Sequence, residues 1–269
     1  MPIDTRKIRL ILWKEWLEIR QQRALLLGML LLPLLFTILP LVLIFAMGQI
    51  PPDQVNDIKP LLEMAGANPA FKGLSVQETV QALIGQPISV MLFILPVILS
   101  SIIASYSIVG EKVSRTLEPV LAAPVTTLEL LLGKMLSAFL PAVAATWLFG
   151  LIFALSMVAV TLSQRVFAAI ISPSWFLLIL LCAPLLTLIS IAATIAVSSR
   201  ANDPRTAQQI SALVILPVIL IIVGQLAGLQ VISPIFSLIA ALVLALIAAG
   251  AMWFATRIFK RESILTKWS

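Results

Sequence analysis

Long uncharged runs alternate along the chain with short charged segments. Five stretches contain no Asp, Glu, Lys or Arg, and the last of them, 206–256, is the longest. A helix that crosses a bilayer needs roughly 20 mainly apolar residues, so this last run has room for two such helices. None of the runs alternates apolar and polar side chains at period two, which excludes the strands of a membrane barrel. The pattern predicts six membrane spans, near residues 24–48, 86–109, 134–160, 174–198, 209–230 and 234–256.

Composition supports a lipid environment for most of the chain. Of its 269 residues 61% are hydrophobic and only 11% are charged, whereas about a quarter are charged in a typical soluble domain. The expected fold class is therefore an all-α integral membrane protein. The sequence has no histidine, which excludes haem ligation by histidine, HExxH zinc sites and Ser-His catalysis. The single cysteine, Cys182, lies inside the fourth predicted span, where it cannot form an intrachain disulfide.

The distribution of basic residues predicts the orientation. Lys and Arg accumulate in the cytoplasmic segments of membrane proteins. Alternate segments, beginning with the N-terminus and ending with the C-terminal tail, hold 15 of the 18 basic residues, and the other loops hold Lys59, Lys72 and Arg165. Both termini are thus predicted to be cytoplasmic in a plasma membrane. The net charge of +6 is explained by this topology, which makes nucleic-acid binding a poor interpretation.

Residues 1–23 are predicted to form an amphipathic helix that lies in the headgroup plane of the inner leaflet. Plain positive flanking sequence is the alternative. The remaining 24–269 form the six-span domain, with an outer loop at 49–85 that contains short helices, a cytosolic elbow at 110–133 and a cytosolic tail at 257–269. The predicted apolar face of the N-terminal helix consists of Ile8, Leu12, Trp16 and Ile19, widened by Trp13 and Leu17; Lys7, Lys14, Glu18 and Gln21 lie opposite, and Ile11 falls on this polar side.

The elbow carries several local structural signals. Glu111 and Arg115 have the i,i+4 spacing of a helical ion pair, and Pro119 is expected to end that helix at about Glu118. Thr126 and Glu129 have the spacing of a capping box, which predicts the start of a new helix leading into the third span. The apolar residues at the tip of the elbow suit docking on another protein, although a plain inside loop is an equal alternative. These tip residues are Leu117, Val120 and Leu121.

The string EKVSRTLEPVLAAPVTTLELLLGK, residues 111–134, resembles the signature of permease subunits of the ABC type-2 exporter family. Val120 stands where that signature usually has leucine. The loop SSRANDPRTAQQ, residues 198–209, resembles the family's second cytosolic turn, in which Arg200, Asp203 and Arg205 are the charged positions and Asp203 can cap a helix that begins at Pro204. The positions that match the signature are Glu111, Lys112, Thr116, Leu117, Glu118, Leu121, Pro124, Glu129, Gly133 and Lys134.

The resemblance implies that the elbow contacts a separate cytosolic ATPase, and that two permeases and two ATPase subunits form the transporter. It implies that ATP and Mg²⁺ are bound by the partner, that this chain binds no cofactor and that it is not itself an enzyme. The absence of GxxxxGK[ST] agrees, because the chain then has no loop to hold ATP phosphates. The implied coupling residues are Glu111, Arg115, Thr116, Leu117, Glu118, Val120 and Leu121.

No Asp, Glu, Lys or Arg is predicted to lie inside a span, which argues against an ion-coupled secondary carrier. A transport pathway would then be lined by weakly polar groups, and the charge-free interior favours lipophilic drugs, lipids or peptides over bare ions. The alternative for the hydroxyl groups is that they bond to their own helix backbone. The candidate pathway residues are Ser100, Ser101, Ser105, Tyr106 and Gln225, with Ser107 beside them.

The sequence therefore predicts the permease subunit of an ATP-driven exporter that works as a homodimer with a cytosolic ATPase. A non-transporting membrane scaffold or assembly factor is the main alternative, and an ion-coupled carrier is the second. Whether the region 224–234 dips back into the membrane is left open, and the substrate is not predicted.

Overall fold

The structure is a computed structural model that describes residues 4–50, 71–111, 125–198, 204–226 and 233–258. All regular structure within these ranges is helical. Short 3₁₀ or π turns occur at Met91–Phe93, Tyr106–Gly110, Leu178–Cys182 and Ala212–Ile215. The helices are α1 (Thr5–Gln21), α2 (Arg23–Gly48), α3 (Val76–Val90), α4 (Ile94–Ser105), α5 (Thr127–Val160), α6 (Gln164–Ile170), α7 (Pro173–Leu177), α8 (Ala183–Ser198), α9 (Pro204–Ser211), α10 (Leu216–Leu226) and α11 (Pro234–Ile258).

Six helical segments are long and apolar enough to cross a membrane, and the predicted all-α fold with six spans is confirmed. The N-terminal helix α1 is separate from them, because Gln22 has an extended backbone with ψ of 91° and α2 begins at the next residue. The six segments are Leu25–Gly48, Val76–Ile108, Thr127–Val160, Gln164–Ser198, Arg205–Leu226 and Pro234–Arg257.

Three of the predicted span boundaries need correction, because the helices continue beyond the apolar runs. The second segment begins at Val76, ten residues before the predicted start at 86, so residues 76–85 belong to a long helix rather than to the outer loop. Ser75 starts this helix through a capping box with Glu78. The third segment likewise begins before the predicted 134, at Thr127, and the fourth begins at Gln164, where the short helix α6 precedes a break at Ile171 and Ser172. The prediction that no charged residue lies inside a span is therefore wrong for Glu78, Glu129, Lys134 and Arg165, which lie near the ends of these segments.

The second segment is the central helix of the described bundle. Of its most apolar 18 residues 78% are buried, against 17% in the fifth segment and 11% in the sixth, which are peripheral. Trp175, Phe153 and Leu92 are fully buried in the larger apolar cluster. A second apolar cluster lies where α1 packs on the bundle and includes Ile103, Leu130, Leu131 and Ile191.

A buried glutamine joins three elements at the end of the bundle away from α1. The Gln81 amide nitrogen donates to the Ile44 carbonyl at 3.0 Å and to the Val160 carbonyl at 3.1 Å, and its oxygen accepts from the Leu162 N–H at 2.9 Å. The Val160 carbonyl and the Leu162 N–H lie at the C-terminal end of α5, where backbone groups lack helical partners, whereas the Ile44 carbonyl lies in the last turns of α2. Gln81 therefore supplies hydrogen bonds to the end of α5 and joins it to α2.

Candidate functional site: a charged cluster between α1, α4 and α5

The predicted coupling segment is only partly within the described residues. Glu111 lies at its start, and the segment from Thr126 to Lys134 forms its end. The predicted residues Arg115, Thr116, Leu117, Glu118, Val120 and Leu121 lie outside the described ranges, as do Arg200 and Asp203 of the second loop. Arg205 is described, in the first turn of α9, and its side chain is exposed.

The start of α5 is the predicted capping box, and α1 completes it. The Thr126 hydroxyl accepts from the Glu129 N–H at 3.2 Å, and the Glu129 carboxylate accepts from the Thr126 N–H at 2.7 Å. The other oxygen of Glu129 accepts from the Asp4 N–H at 2.9 Å, and the Asp4 side chain in turn caps α1 by accepting from the Arg6 N–H. Glu129 therefore joins the N-terminus of α5 to the N-terminus of α1.

Lys134 is the centre of a buried ion-pair cluster. Its side chain is 2% exposed, and an ammonium group has three N–H donors. Four oxygens lie within hydrogen-bonding distance: Glu15 Oε1 at 2.7 Å, Glu111 Oε2 at 2.8 Å, the Ser107 carbonyl at 2.7 Å and the Ser107 hydroxyl at 3.2 Å. Ser107 belongs to the π turn that follows α4, a type of turn often found at functional sites. The single ammonium group thus connects α1, the end of α4 and α5.

Lys14 extends the cluster towards solvent. Its ammonium group pairs with Glu111 and, at 3.0 Å, with Glu18 one helical turn away. The expected i,i+4 partner of Glu111, Arg115, lies outside the described residues, so that prediction stays untested, while the observed partners of Glu111 are Lys14 and Lys134. Because Glu111 contacts both lysines, the cluster is one continuous network.

Neighbouring charges outweigh burial in setting the pKa of Lys14 and of Glu15. Burial alone would lower the pKa of Lys14, but the neighbouring carboxylates of Glu111, Glu15 and Glu18 outweigh burial and hold this pKa above its usual range. Burial would conversely raise the pKa of Glu15, and the Lys134 ammonium group outweighs it and lowers this pKa. Three carboxylates of the cluster, from Glu15, Glu18 and Glu111, are close enough to hold a metal ion, but two lysine ammonium groups already pair with them.

Gly133 allows α1 to approach α5 closely. A Cβ atom at this position would lie 2.6 Å from Ile11 Cγ2 and 2.7 Å from Ile11 Cβ. Ile11 is half-buried and packs on the smaller apolar cluster, as does Ile19. The assignment of Ile11 to the outward polar side of the N-terminal helix is therefore wrong. The Ile11 side chain faces α5, because Glu15, one turn later on the same face of α1, pairs with Lys134 of α5.

The predicted pathway residues are divided between two distant parts of the sequence. The Ser100 hydroxyl donates to the Pro96 carbonyl at 2.6 Å, and the Ser101 hydroxyl donates to the Ile98 carbonyl at 2.9 Å, as the backbone-bonding alternative predicts. Tyr106 is half-buried in the π turn. Ser105 and Gln225 are buried, and their polar side-chain atoms have no hydrogen-bond partner among the described residues. A pathway role for all five stays a prediction.

The residues of α1 that complete the cluster are not among the predicted site residues. The sequence pattern predicts Lys14 and Glu18 on the polar side of an interfacial helix and gives no role to Glu15. The sequence nevertheless contains a signal for Glu15, because this residue lies on the same helix face as Ile8, Ile11 and Ile19. A carboxylate on a buried apolar face needs a cationic partner. Gly133 and Lys134 were recognised only as motif positions.

A family model described as "ABC-2 family transporter protein" matches residues 9–238, which include most of α1 and the whole charged cluster. No curated protein matches the chain. ABC-2 permeases are transmembrane subunits and are not the catalytic chains of their transporters. With six segments able to cross a membrane and a family match over more than half of its length, the chain belongs to the ABC-2 transporter family and is a multi-pass membrane permease subunit of an ABC transporter.

Proposed function

We propose that this permease exports its substrate with energy from a separate cytosolic ATPase, which binds the ATP and Mg²⁺. Two copies of the chain work together, both termini lie in the cytoplasm, and the segment 115–123 of the elbow docks on the ATPase. The basic residues of the alternate segments support this orientation. The Leu117 and Glu118 side chains contact the ATPase, and the neighbouring residues from Arg115 to Leu121 shape the docking surface.

The observation that carries the proposal is that one cluster joins the parts of the chain that precede and follow this segment. Glu111 precedes the segment, and Lys134 lies in the helix that follows it; their side chains are 2.8 Å apart. Both also pair with residues of α1, since Lys134 contacts Glu15 and Glu111 contacts Lys14. A displacement imposed on the segment by a partner is thereby shared by α4, α5 and α1, which is what coupling to a membrane domain requires.

The test is to co-purify the permease with its candidate ATPase and to measure ATP hydrolysis and substrate movement in the same vesicles. We expect Leu117→Ala and Glu118→Ala to separate hydrolysis from transport while the permease still inserts in the membrane. Leu155→Ala is the matched control, because this leucine is 65% exposed near the far end of α5. Full coupled transport by the Leu117 and Glu118 variants would refute the docking role, and a bound ATPase without any ATP-dependent transport would favour a scaffold.

A further inference from the structure

The outward face of α1 combines arginines with large apolar side chains. At 3.6 residues per turn, six exposed residues of α1 fall within an arc of about 100°. Leu10 is 62% exposed, Trp13 58% and Leu17 42%, and the three arginines of the same arc are exposed as well. The arc contains no acidic residue. Its members are Arg9, Arg20, Trp13, Arg6, Leu17 and Leu10.

The opposite face of α1 is held by the bundle, so this arc cannot turn inward. Glu15 pairs with buried Lys134, and Ile11 lies against Gly133 without room for another methyl group. The face predicted to enter lipid is divided: Trp13 and Leu17, which widen it, are exposed, and its other four members are half-buried on the side of the protein, namely Ile8, Leu12, Trp16 and Ile19. What α1 presents outward is therefore the mixed face of arginines, Trp13 and two leucines.

The position of α1 places this face at the boundary of the membrane. Only Gln22 separates α1 from α2, and the first spanning segment begins at Leu25. Lys134, against which α1 packs, lies in the second turn of α5 at the end of another spanning segment. A helix at this level faces lipid phosphates and the upper parts of acyl chains.

We propose that this arc is a binding surface for anionic phospholipid headgroups. Guanidinium groups form two parallel hydrogen bonds with a phosphate oxygen pair, and no carboxylate among the described residues pairs with Arg6, Arg9 or Arg20. Trp13 and the two leucines suit the adjoining boundary between headgroups and acyl chains, where amphipathic aromatic rings are favoured. A purely polar partner surface would leave these three apolar side chains unmatched.

The experiment uses the purified full-length chain in nanodiscs of phosphatidylcholine that contain brominated phosphatidylglycerol or brominated phosphatidylcholine. Bromine quenches nearby tryptophan fluorescence, and the difference between the native chain and Trp13→Phe isolates the signal of Trp13. We expect the brominated anionic lipid to quench Trp13 at lower mole fraction than the neutral lipid. In Arg6→Gln/Arg9→Gln the affinity for the anionic lipid relative to the neutral lipid should fall about fivefold for each arginine removed. Added salt should likewise lower this relative affinity in the native chain.

The control is Lys72→Gln/Arg205→Gln, which removes two exposed cations elsewhere on the chain and should leave the lipid preference unchanged. Equal quenching by both lipids, a preference that survives loss of the arginines, or an equal loss in the control would overturn the proposal. Quenching of Trp13 by neither lipid would show that the arc does not contact the membrane and would overturn the proposal as well. The readout involves no ATP, so its result is independent of the proposed transport function.

Discussion

At the residue scale, Lys134 shows how a charged group can be buried at the end of a membrane helix. Removing an ammonium group from water is unfavourable unless its donors are satisfied by hydrogen-bonded, oppositely charged groups. Lys134 has three acceptors within 2.8 Å, two of them carboxylates. The arrangement therefore depends on its members together, because Lys14 is the other cation that contacts Glu15 and Glu111, and it is itself partly exposed.

We expect Lys134→Met to destabilise the chain by about 3–5 kcal/mol, because Glu15 and Glu111 then lose their buried cation and keep only the partly exposed Lys14. Unfolding by denaturant in detergent micelles would measure this. Replacing all three groups, as in Glu15→Leu/Glu111→Leu/Lys134→Met, should recover much of the loss, since apolar groups need no partner. Exposed Lys72→Met is the control, and a Lys134→Met variant as stable as the native chain would contradict the network.

Gly133 makes a second prediction at this scale. Gly133→Ala should weaken the contact of α1 with α5 by about 1–3 kcal/mol, because its Cβ would lie 2.6 Å from Ile11. Hydrogen exchange of the α1 amides would report the loosening, and Ile11→Ala in the same chain should restore protection. Gly250→Ala is the matched control, since a Cβ there meets no atom within 4 Å. Unchanged exchange in α1 would show that the close approach is unimportant.

At the element scale, polar caps decide where the long helices begin. The second and third spanning segments both start with a capping box, at Ser75 and Thr126, several residues before the hydrophobic run becomes continuous. A cap satisfies backbone N–H groups that have no helical partner, so it extends the helix beyond the apolar core. The added turns of α5 are those that contact α1.

Thr126→Ala should cost about 1 kcal/mol at the start of α5, because the Glu129 N–H loses its acceptor. Faster hydrogen exchange is expected in the first turn of α5 and in α1, which Glu129 joins through Asp4. Ser75→Ala removes the equivalent cap of α3 and should affect only that helix. If Thr126→Ser, which keeps the hydroxyl, exchanged as fast as Thr126→Ala, the cap would not be the cause.

At the scale of the whole molecule, the fold brings α1 and the ends of α4 and α5 together at one end of the bundle. The charged cluster there contains Lys14, Glu15, Glu18, Glu111 and Lys134. At the other end, Gln81 joins α2, α3 and the end of α5. The central second segment runs between these two sets of polar contacts, so that polar groups fix the ends of the bundle and apolar packing fills its middle.

Acid should release α1 from the bundle. The pKa of Glu15 is lowered from its ordinary value of 4.5, so its ion pair contributes stability that is fully present above pH 4.5 and is lost as the pH falls through the lower folded-state pKa. Hydrogen exchange of α1, corrected for the intrinsic pH dependence, should increase in that range. In Glu15→Gln, the pH dependence of α1 exchange that comes from Glu15 should be lost. If the variant and the native chain showed the same pH profile of α1 exchange, Glu15 would not be the group that titrates.

The sequence by itself determined the features that depend on local chemistry. Run length predicts six spans, the polar break before Leu25 separates the N-terminal helix, and the spacing of Thr126 and Glu129 predicts the start of α5, because each depends on neighbouring residues alone. Only the tertiary structure decided which face of α1 meets the bundle and that Glu15 and Lys134 are partners. These residues are 119 positions apart, and no local pattern specifies which helix faces meet. The burial of residues 76–85 within the bundle belongs to the same class, although the capping box of Ser75 and Glu78 is local, since polar Gln81 is stable in a buried helix only because α2 and α5 supply its partners.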